Sequence, residues 1–77
     1  MNEKERIRKI IEAVAGRPAP EGDDESLFDS GFLDSFALPD MVSALEKEFG
    51  LSVPDGDLQP RKFESVERIA AYLASKQ

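Results

Sequence analysis

The sequence contains neither cysteine nor histidine. Without cysteine, disulfide bonds and thiolate metal sites are excluded, which fits a reducing cytoplasm. Without histidine, the chain lacks the usual general base near pH 7 and the commonest metal ligand of proteins. No stretch approaches the roughly 20 apolar residues of a membrane span, and no signal-peptide pattern is present. We therefore expect a cytoplasmic protein without a membrane span and with little catalytic chemistry of its own.

The chain is short and acidic. Its 77 residues carry a net charge of −6, with 40% hydrophobic and 34% charged side chains. This length fits one small domain, residues 1–77, near the lower limit at which a single apolar core holds a fold. Residues 18–60 contain 11 acidic side chains and one lysine, whereas the flanking segments are basic. This acidity argues against a nucleic-acid partner or an anionic membrane, and it fits either a solvated face or a docking surface for basic partners.

Two segments near the ends of the chain have the apolar spacing of amphipathic helices. The first begins at Asn2, has Glu5 at the spacing of a capping box, and stops at Gly16. The last begins at Ser65, its predicted N-cap, and runs towards Ser75. The apolar stripes are Ile7, Ile10, Ile11 and Val14 in the first helix, and Val66, Ile69, Ala70 and Leu73 in the last, with Tyr72 at its edge.

A middle helix is predicted from about Ser35 or Leu38 to Phe49. Asp34 is a good N-cap candidate, which would place Ser35 in the first turn. Pro39 opposes this placement, because a proline beyond the first turn removes a backbone hydrogen bond. Either the first turn is irregular, or the regular helix begins at Pro39 and Ser35 lies just before it. Gly50 is the predicted stop, and the stripe consists of Leu38, Met41, Val42, Leu45 and Phe49.

The connecting segments differ in character. Residues 17–33 form a long loop whose apolar second half is expected to pack down, with Gly31 supplying a bend. Its apolar residues are Leu27, Phe28, Phe32 and Leu33. Residues 55–60 are rich in turn formers, with room for one short helical turn, and we expect Leu58 and Phe63 to anchor this stretch in the core. The pattern as a whole predicts an all-α protein, a small three- to four-helix bundle with a long loop after the first helix.

Catalytic and metal sites are hard to build from these residues. Cys–His and Ser–His–Asp sets are excluded by composition, so we expect no enzyme activity and assign no catalytic residue. A calcium loop of the EF-hand type starting at Asp23, Asp29 or Asp55 would place an apolar residue where an oxygen ligand is needed. We therefore expect no metal site.

One motif at the start of the middle helix carries a family resemblance. The segment Gly31-Phe32-Leu33-Asp34-Ser35-Phe36 resembles the phosphopantetheine attachment site of acyl carrier proteins, whose core is Asp-Ser followed by a hydrophobic residue. Taken alone, Asp34-Ser35 also fits an ordinary helix start. The rest of the chain is similar to the family as well, in its length, its acidity and its long first loop. The matching segments are Ala44-Leu45-Glu46-Lys47-Glu48-Phe49-Gly50, then Val53-Pro54-Asp55, and finally Ser65-Val66 with Ile69 and Tyr72-Leu73.

The resemblance implies a mechanism that suits a chain without cysteine. Ser35 would be esterified by a separate Mg²⁺-dependent phosphopantetheinyl transferase, with its hydroxyl attacking the β-phosphate of coenzyme A. The thiol of the attached arm would then carry an acyl or aminoacyl group as a thioester. The implied partners are this transferase, an acyl- or aminoacyl-activating ligase, and a downstream acyltransferase or synthase. The carrier itself is expected to be a monomer.

The resemblance also implies that partners with basic patches dock on the acidic second helix. The acidic candidates are Asp34, Asp40, Glu46 and Glu48, with Phe36 and Met41 as apolar contacts. Lys47 interrupts the acidic run. Met41 also lies on the apolar stripe, which favours a place in the core over a place at the docking surface.

Two differences from fatty-acid carriers indicate which type of carrier to expect. Phe36 stands where those carriers usually have leucine, and Gly-Phe-Leu-Asp-Ser is closer to the Gly-Leu-Leu-Asp-Ser type of D-alanyl carrier proteins and other stand-alone carriers. Pro39 matches neither group. We expect a discrete carrier loaded by a dedicated adenylate-forming ligase in a specialised pathway. The alternatives are a carrier of fatty-acid or polyketide synthesis and, from a different class, an unmodified acidic helical module that only binds a partner.

Overall fold

A computed structural model describes residues 2–28 and 33–76, with the backbone alone described at Ser35. The predicted bend at Gly31, the packing of Phe32 and the calcium register from Asp29 lie outside the described residues. Within the described part, the chain forms three α-helices and no strand: α1 spans Glu3–Ala15, α2 spans Leu38–Phe49 and α3 spans Val66–Lys76. The prediction of an all-α bundle is confirmed.

Helix α1 begins and ends where its capping residues predict. The Asn2 side chain accepts a hydrogen bond from the Glu5 backbone N–H at 2.8 Å, which satisfies one of the unpaired donors of the first turn. At the other end, Gly16 takes a left-handed conformation with φ of 73°, and its N–H donates to the Glu12 carbonyl. This conformation favours glycine, so the helix stops at Gly16 as predicted.

Helix α2 is preceded by a short 3₁₀ turn, Ser35–Ala37, and the regular helix begins at Leu38. The irregular first turn is therefore the alternative that the structure adopts. Pro39 is compatible with this start, because the first helical residues have no intrahelical acceptor for their N–H groups. Gly50, with φ of 66°, ends the helix as predicted.

Helix α3 is capped by Ser65, whose Oγ accepts a hydrogen bond from the Arg68 N–H at 3.1 Å. Ser65 is itself buried, so this bond also satisfies a polar group that has little access to water. The predicted N-cap is confirmed.

All three helices, the long loop and the segment between α2 and α3 supply the core. Met41 and Phe63 are fully buried, and the Phe63 ring packs against Tyr72 with centroids 5.0 Å apart. Phe28 is partly buried against the core, so the packing predicted for the apolar half of the loop is confirmed for its described residues. The buried apolar residues are Ile7, Ile11, Leu27, Leu33, Leu38, Met41, Val42, Leu45, Val53, Phe63, Val66, Ile69, Tyr72 and Leu73.

The segment between α2 and α3 differs from its prediction. It contains two 3₁₀ turns, Asp55–Asp57 and Pro60–Phe63, in place of a single helical turn. Phe63 is a core anchor as predicted, but Leu58 is 36% exposed, so its predicted place in the core is wrong. The described helices include none that is long and apolar enough to cross a membrane.

Candidate functional site

The turn that contains Ser35 is held by the residue before it. The Ala37 N–H lies 3.1 Å from the Asp34 backbone carbonyl and 3.1 Å from the Asp34 carboxylate oxygen Oδ1, so Asp34 accepts with both groups. Asp34 therefore caps the 3₁₀ turn, whereas the N-cap of α2 is Ala37, which makes no side-chain hydrogen bond. This arrangement places Ser35 in a short ordered turn at the entrance of α2.

Phe36, directly after Ser35, points into solvent. Its side chain is 88% exposed, the largest exposure of any described large hydrophobic residue. A phenylalanine gains free energy by burial, so one that finds no place in its own core is available for contact with another molecule. Asp34 and Asp40 are exposed as well. Asp34, Phe36 and Asp40 therefore form a small exposed surface around the Ser35 turn, which we call the entrance surface.

The two acidic candidates near the end of α2 bind groups within the chain. Glu46 accepts a hydrogen bond from the Val53 N–H at 2.7 Å, which fixes the segment after the helix. Glu48 pairs with Arg6 of α1 at 2.8 Å, and the Arg6 guanidinium also donates to the Glu48 carbonyl at 3.0 Å. The guanidinium lies 4.4 Å from the centre of the Phe49 ring. Structural partners thus occupy Glu46 and Glu48, whereas Asp40 forms no ion pair with any other described residue.

Met41 has no solvent exposure at all. It therefore offers no surface to a partner, so the prediction of Met41 as an apolar docking contact is wrong. The reason is its position on the apolar stripe of α2, between Leu38 and Leu45, which turns the side chain into the bundle.

The loop that leads to the Ser35 turn is tied to α1 and to the start of α3. The Asp23 carboxylate pairs with Lys4 and Arg8 of α1, and the Asp23 carbonyl accepts from the Glu67 N–H at 2.9 Å. The hydrogen bonds from Arg8 and then from Lys4 lower the pKa of Asp23 below its ordinary value of 3.8. Because these bonds link residues far apart in the chain, no local pattern in the sequence indicated them.

Two further hydrogen bonds extend this connection towards Ser35. The Leu27 N–H donates to the carbonyl of Glu64, just before α3, and the Leu33 N–H donates to the Leu27 carbonyl at 2.7 Å. Leu27 and Leu33 are both buried in the core. The backbone two residues before Ser35 is therefore fixed to the body of the protein.

A second polar cluster fixes the Asp55–Asp57 turn to α3. The Tyr72 hydroxyl donates to Asp57 at 2.7 Å, and the ammonium groups of Lys62 and Lys76 lie 3.2 and 3.3 Å from the same carboxylate. The hydrogen bond from Tyr72, followed by that from Lys62, lowers the pKa of Asp57 to about 2. Burial, followed by the hydrogen bond to Asp57, raises the pKa of Tyr72 to about 12. Both groups keep their ordinary charge states at neutral pH, so the cluster holds the loop and offers no acid–base pair near pH 7.

The described residues contain no group of three or more carboxylates placed to hold a metal ion. The entrance surface suits a different kind of attachment, a covalent bond to a hydroxyl. Its turn is ordered by Asp34, and the side chains on either side of Ser35 are exposed, so an enzyme can approach the turn. The Ser35 turn therefore lies where a modifying enzyme can reach it, as the covalent attachment expected from the sequence requires.

The chain is similar to known carrier proteins over nearly its whole length. The model of the family described as "Phosphopantetheine attachment site" matches residues 5–73. A D-alanyl carrier protein of Lactobacillus acidophilus is 27% identical over 75 residues, covering 97% of this chain and 95% of that protein. A D-alanyl carrier protein of Lactococcus lactis subsp. lactis is 34% identical over 74 residues, covering 95% and 94%. An acyl carrier protein of Nitratidesulfovibrio vulgaris is 38% identical over 79 residues, covering all of both chains.

The small helical bundle and the family match define a class of carrier proteins. The chain belongs to the family of proteins with a phosphopantetheine attachment site. It is a carrier protein whose cofactor is covalently attached phosphopantetheine, and the resemblance seen in the sequence is confirmed.

Proposed function

We propose that Ser35 carries the phosphopantetheine arm, and that residues 1–77 act as one cytoplasmic, monomeric carrier unit. The observation that carries this proposal is the position of Ser35, in an ordered 3₁₀ turn at the entrance of α2 beside the exposed Phe36. Asp34, the residue before Ser35, also supports the assignment. Its carboxylate and its backbone carbonyl both accept from the Ala37 N–H, which fixes the turn.

The modification needs no activating group from this chain. The Ser35 hydroxyl oxygen attacks the β-phosphorus of coenzyme A inside the transferase, and a new phosphate ester bond forms as the pyrophosphate bond breaks. Adenosine 3′,5′-bisphosphate leaves, and the serine proton passes to a base in that enzyme. Once attached, the arm supplies a thiol for thioester formation. The role of this chain is to present Ser35 and to dock, and the partner enzymes supply the catalysis.

The type of carrier follows from motif and relatives together. Leu33-Asp34-Ser35 matches the D-alanyl and stand-alone type, and relatives named D-alanyl carrier protein match nearly the whole chain. We infer a discrete carrier that an adenylate-forming ligase loads with an aminoacyl or acyl group, which a downstream acyltransferase or synthase then receives.

Docking centres on the entrance surface. Asp34 and Asp40 are exposed, and attraction between exposed charges mainly raises encounter rates and sets specificity. Phe36 supplies the apolar contact, because aromatic anchors carry much of the binding energy of interfaces. Glu46 and Glu48 contribute less to docking, since each already binds a group in its own chain.

The test is modification by a phosphopantetheinyl transferase with coenzyme A and Mg²⁺, followed by intact-mass measurement. Wild-type protein should gain one phosphopantetheine group, and Ser35→Ala should gain none. Ser43→Ala is the matched control, because it removes an exposed hydroxyl from α2, outside the Ser35 turn, and should leave the modification intact. Unmodified wild-type protein under these conditions would contradict the proposal and favour an unmodified interaction module.

A second candidate is a carrier of fatty-acid or polyketide synthesis. The observation in its favour is the acyl carrier protein of Nitratidesulfovibrio vulgaris, 38% identical over the full length of both chains. The intact mass of the protein purified from its native host distinguishes the two candidate functions, because a bound amino acid and a bound acyl chain differ in mass. A long acyl chain on the thiol of the phosphopantetheine arm would favour this second candidate.

A further inference from the structure

A groove lies between α1 and α2. Its volume is about 560 Å³, and it is lined by Arg6, Lys9, Ile10 and Ala13 from α1 and by Ala44 and Glu48 from α2. The α1 residues follow helical spacing and therefore share one face of that helix. The small side chains of Ala13 and Ala44 leave space at the seam, and Ile10 adds apolar surface.

The charge around the groove has the opposite sign to that of the protein. Two cationic residues and one carboxylate line it, in a chain whose net charge is −6. Arg6 and Glu48 neutralise each other through their ion pair. Lys9 is exposed and forms no ion pair with any other described residue, so its ammonium group is the uncompensated charge of the groove.

The groove continues the entrance surface. Asp40, Ala44 and Glu48 are spaced four residues apart and form one row along α2. Ala44 lies six residues beyond Leu38, about 9 Å along the helix axis from its start. A partner that contacts Phe36 and Asp40 therefore meets a negative charge near Ser35 and a positive charge with an apolar pocket farther along the same side.

We propose that this groove is a second docking site for the ligase that loads the carrier, and that it takes an apolar side chain flanked by carboxylates. The inference rests on the proposed function and deepens it. Negative charge beside the serine, here from Asp34 and Asp40, is not distinctive in a chain with a net charge of −6, so a dedicated ligase gains specificity from a feature of the opposite sign. The basic apolar groove is such a feature, because it attracts an acidic segment of a partner and repels a basic one.

The experiment measures loading of the holo protein by a D-alanine-activating, adenylate-forming ligase specific for D-alanyl carrier proteins, with D-alanine and ATP. Lys9→Glu reverses the charge of the groove, and Ala13→Leu fills it from an exposed position. We expect each variant to lower kcat/KM by about 10-fold, mainly through KM. The loss in Lys9→Glu should shrink in 0.5 M salt, because exposed charges are screened, whereas the loss in Ala13→Leu should persist.

Matched controls lie outside the groove. Arg61→Glu makes the same charge change at another exposed position, and Ala74→Leu adds the same bulk to an exposed position of α3. Both should be loaded like the wild type, and all four variants should keep the wild-type melting temperature within a few degrees. Transferase modification, measured first, tests the proposed function separately, because it needs only Ser35 and its turn.

Three results would overturn the inference. The first is a pair of groove variants that are loaded as fast as their controls. The second is a holo wild-type protein that this ligase does not load, because the ligase is the named occupant. The third is a wild-type dimer in sedimentation equilibrium that Lys9→Glu dissociates, since a second copy of the chain would then occupy the groove.

Discussion

Met41 provides the sharpest test of the division between core and docking surface on α2. The side chain is fully buried, so Met41→Ala removes its packing and leaves a cavity in the bundle. Truncations of this kind cost about 2–5 kcal/mol, and the complete burial of Met41 supports a value near 3 kcal/mol. A chain of 77 residues has a total stability of about 4–12 kcal/mol, so this single change removes a large part of it.

Urea unfolding followed by far-ultraviolet circular dichroism measures this loss. With an m-value of about 1 kcal/mol per molar urea for a small protein, the midpoint should fall by about 3 M. Met41→Leu conserves volume and should cost less than about 1.5 kcal/mol, and its holo form should be loaded like the wild type. Ser43→Ala, at an exposed position of the same helix, is the control for a change that touches no core residue.

A Met41→Ala protein whose free energy of unfolding lies within about 0.5 kcal/mol of the wild type would contradict the place of Met41 in the core. The same conclusion would follow if Met41→Leu folded normally but lost enzymatic loading. In that case the side chain would act at the docking surface, in conflict with its burial.

Three further predictions concern the hydrogen bonds that fix the bundle. Ser65→Ala should destabilise the protein by about 1 kcal/mol in urea unfolding, because α3 loses its N-cap, and Ser65→Thr should restore part of the loss if capping is the cause. Tyr72→Phe should raise the pKa of Asp57 from about 2 towards 3.8, which carboxyl NMR titration measures; an unchanged pKa would show that the hydroxyl does not bind Asp57. Since the pKa values of Asp57 and Asp23 are lowered by folding, their contribution to stability is present above about pH 4 and lost as the pH falls, for Asp57 through about pH 2. Asp57→Asn should therefore flatten the acid limb of the stability curve, and an unchanged limb would contradict the assignment.

The helix ends were predictable because their signals are local. Asn2, Gly16, Gly50 and Ser65 act on backbone groups within a few residues, so the sequence around each position contains the whole interaction. The start of α2 could not be predicted, because the local signals around Pro39 were compatible with two different starts. Both an irregular turn and a later start satisfied the local rules for Pro39, and only the packed structure distinguishes them.

The exposure of Leu58 could not be predicted from local sequence signals. An apolar residue in a turn-rich segment suggests a core anchor, but the direction of its side chain depends on how the turn is fixed to α3. That attachment comes from Asp57 and Tyr72, which are separated by 15 positions. Phe63 and Tyr72 pack together in the core near this segment, and Leu58 remains partly exposed.

The docking surface was only partly predictable, for a related reason. The sequence indicates which residues of α2 are acidic, but not which of them already have partners. Glu48 binds Arg6 across 42 positions, and Glu46 binds the backbone of Val53 beyond the end of the helix. These contacts separate the four acidic candidates into two groups and leave Asp34 and Asp40, near Ser35, as the exposed acids without an ion pair among the described residues.

The hydrogen bonds that the Leu27 N–H donates to Glu64 and the Leu33 N–H donates to Leu27 have a consequence for amide hydrogen exchange. Amides in a surface loop usually exchange through local fluctuations, far faster than amides of a helical core. The N–H groups of the buried residues Leu27 and Leu33 donate to backbone carbonyls, and the Glu64 acceptor directly precedes Ser65, the N-cap of α3, so these amides should exchange only when that helix opens. The loop and α3 would then form one cooperative unit, and the approach to Ser35 would lose its order in the same event that releases the last helix.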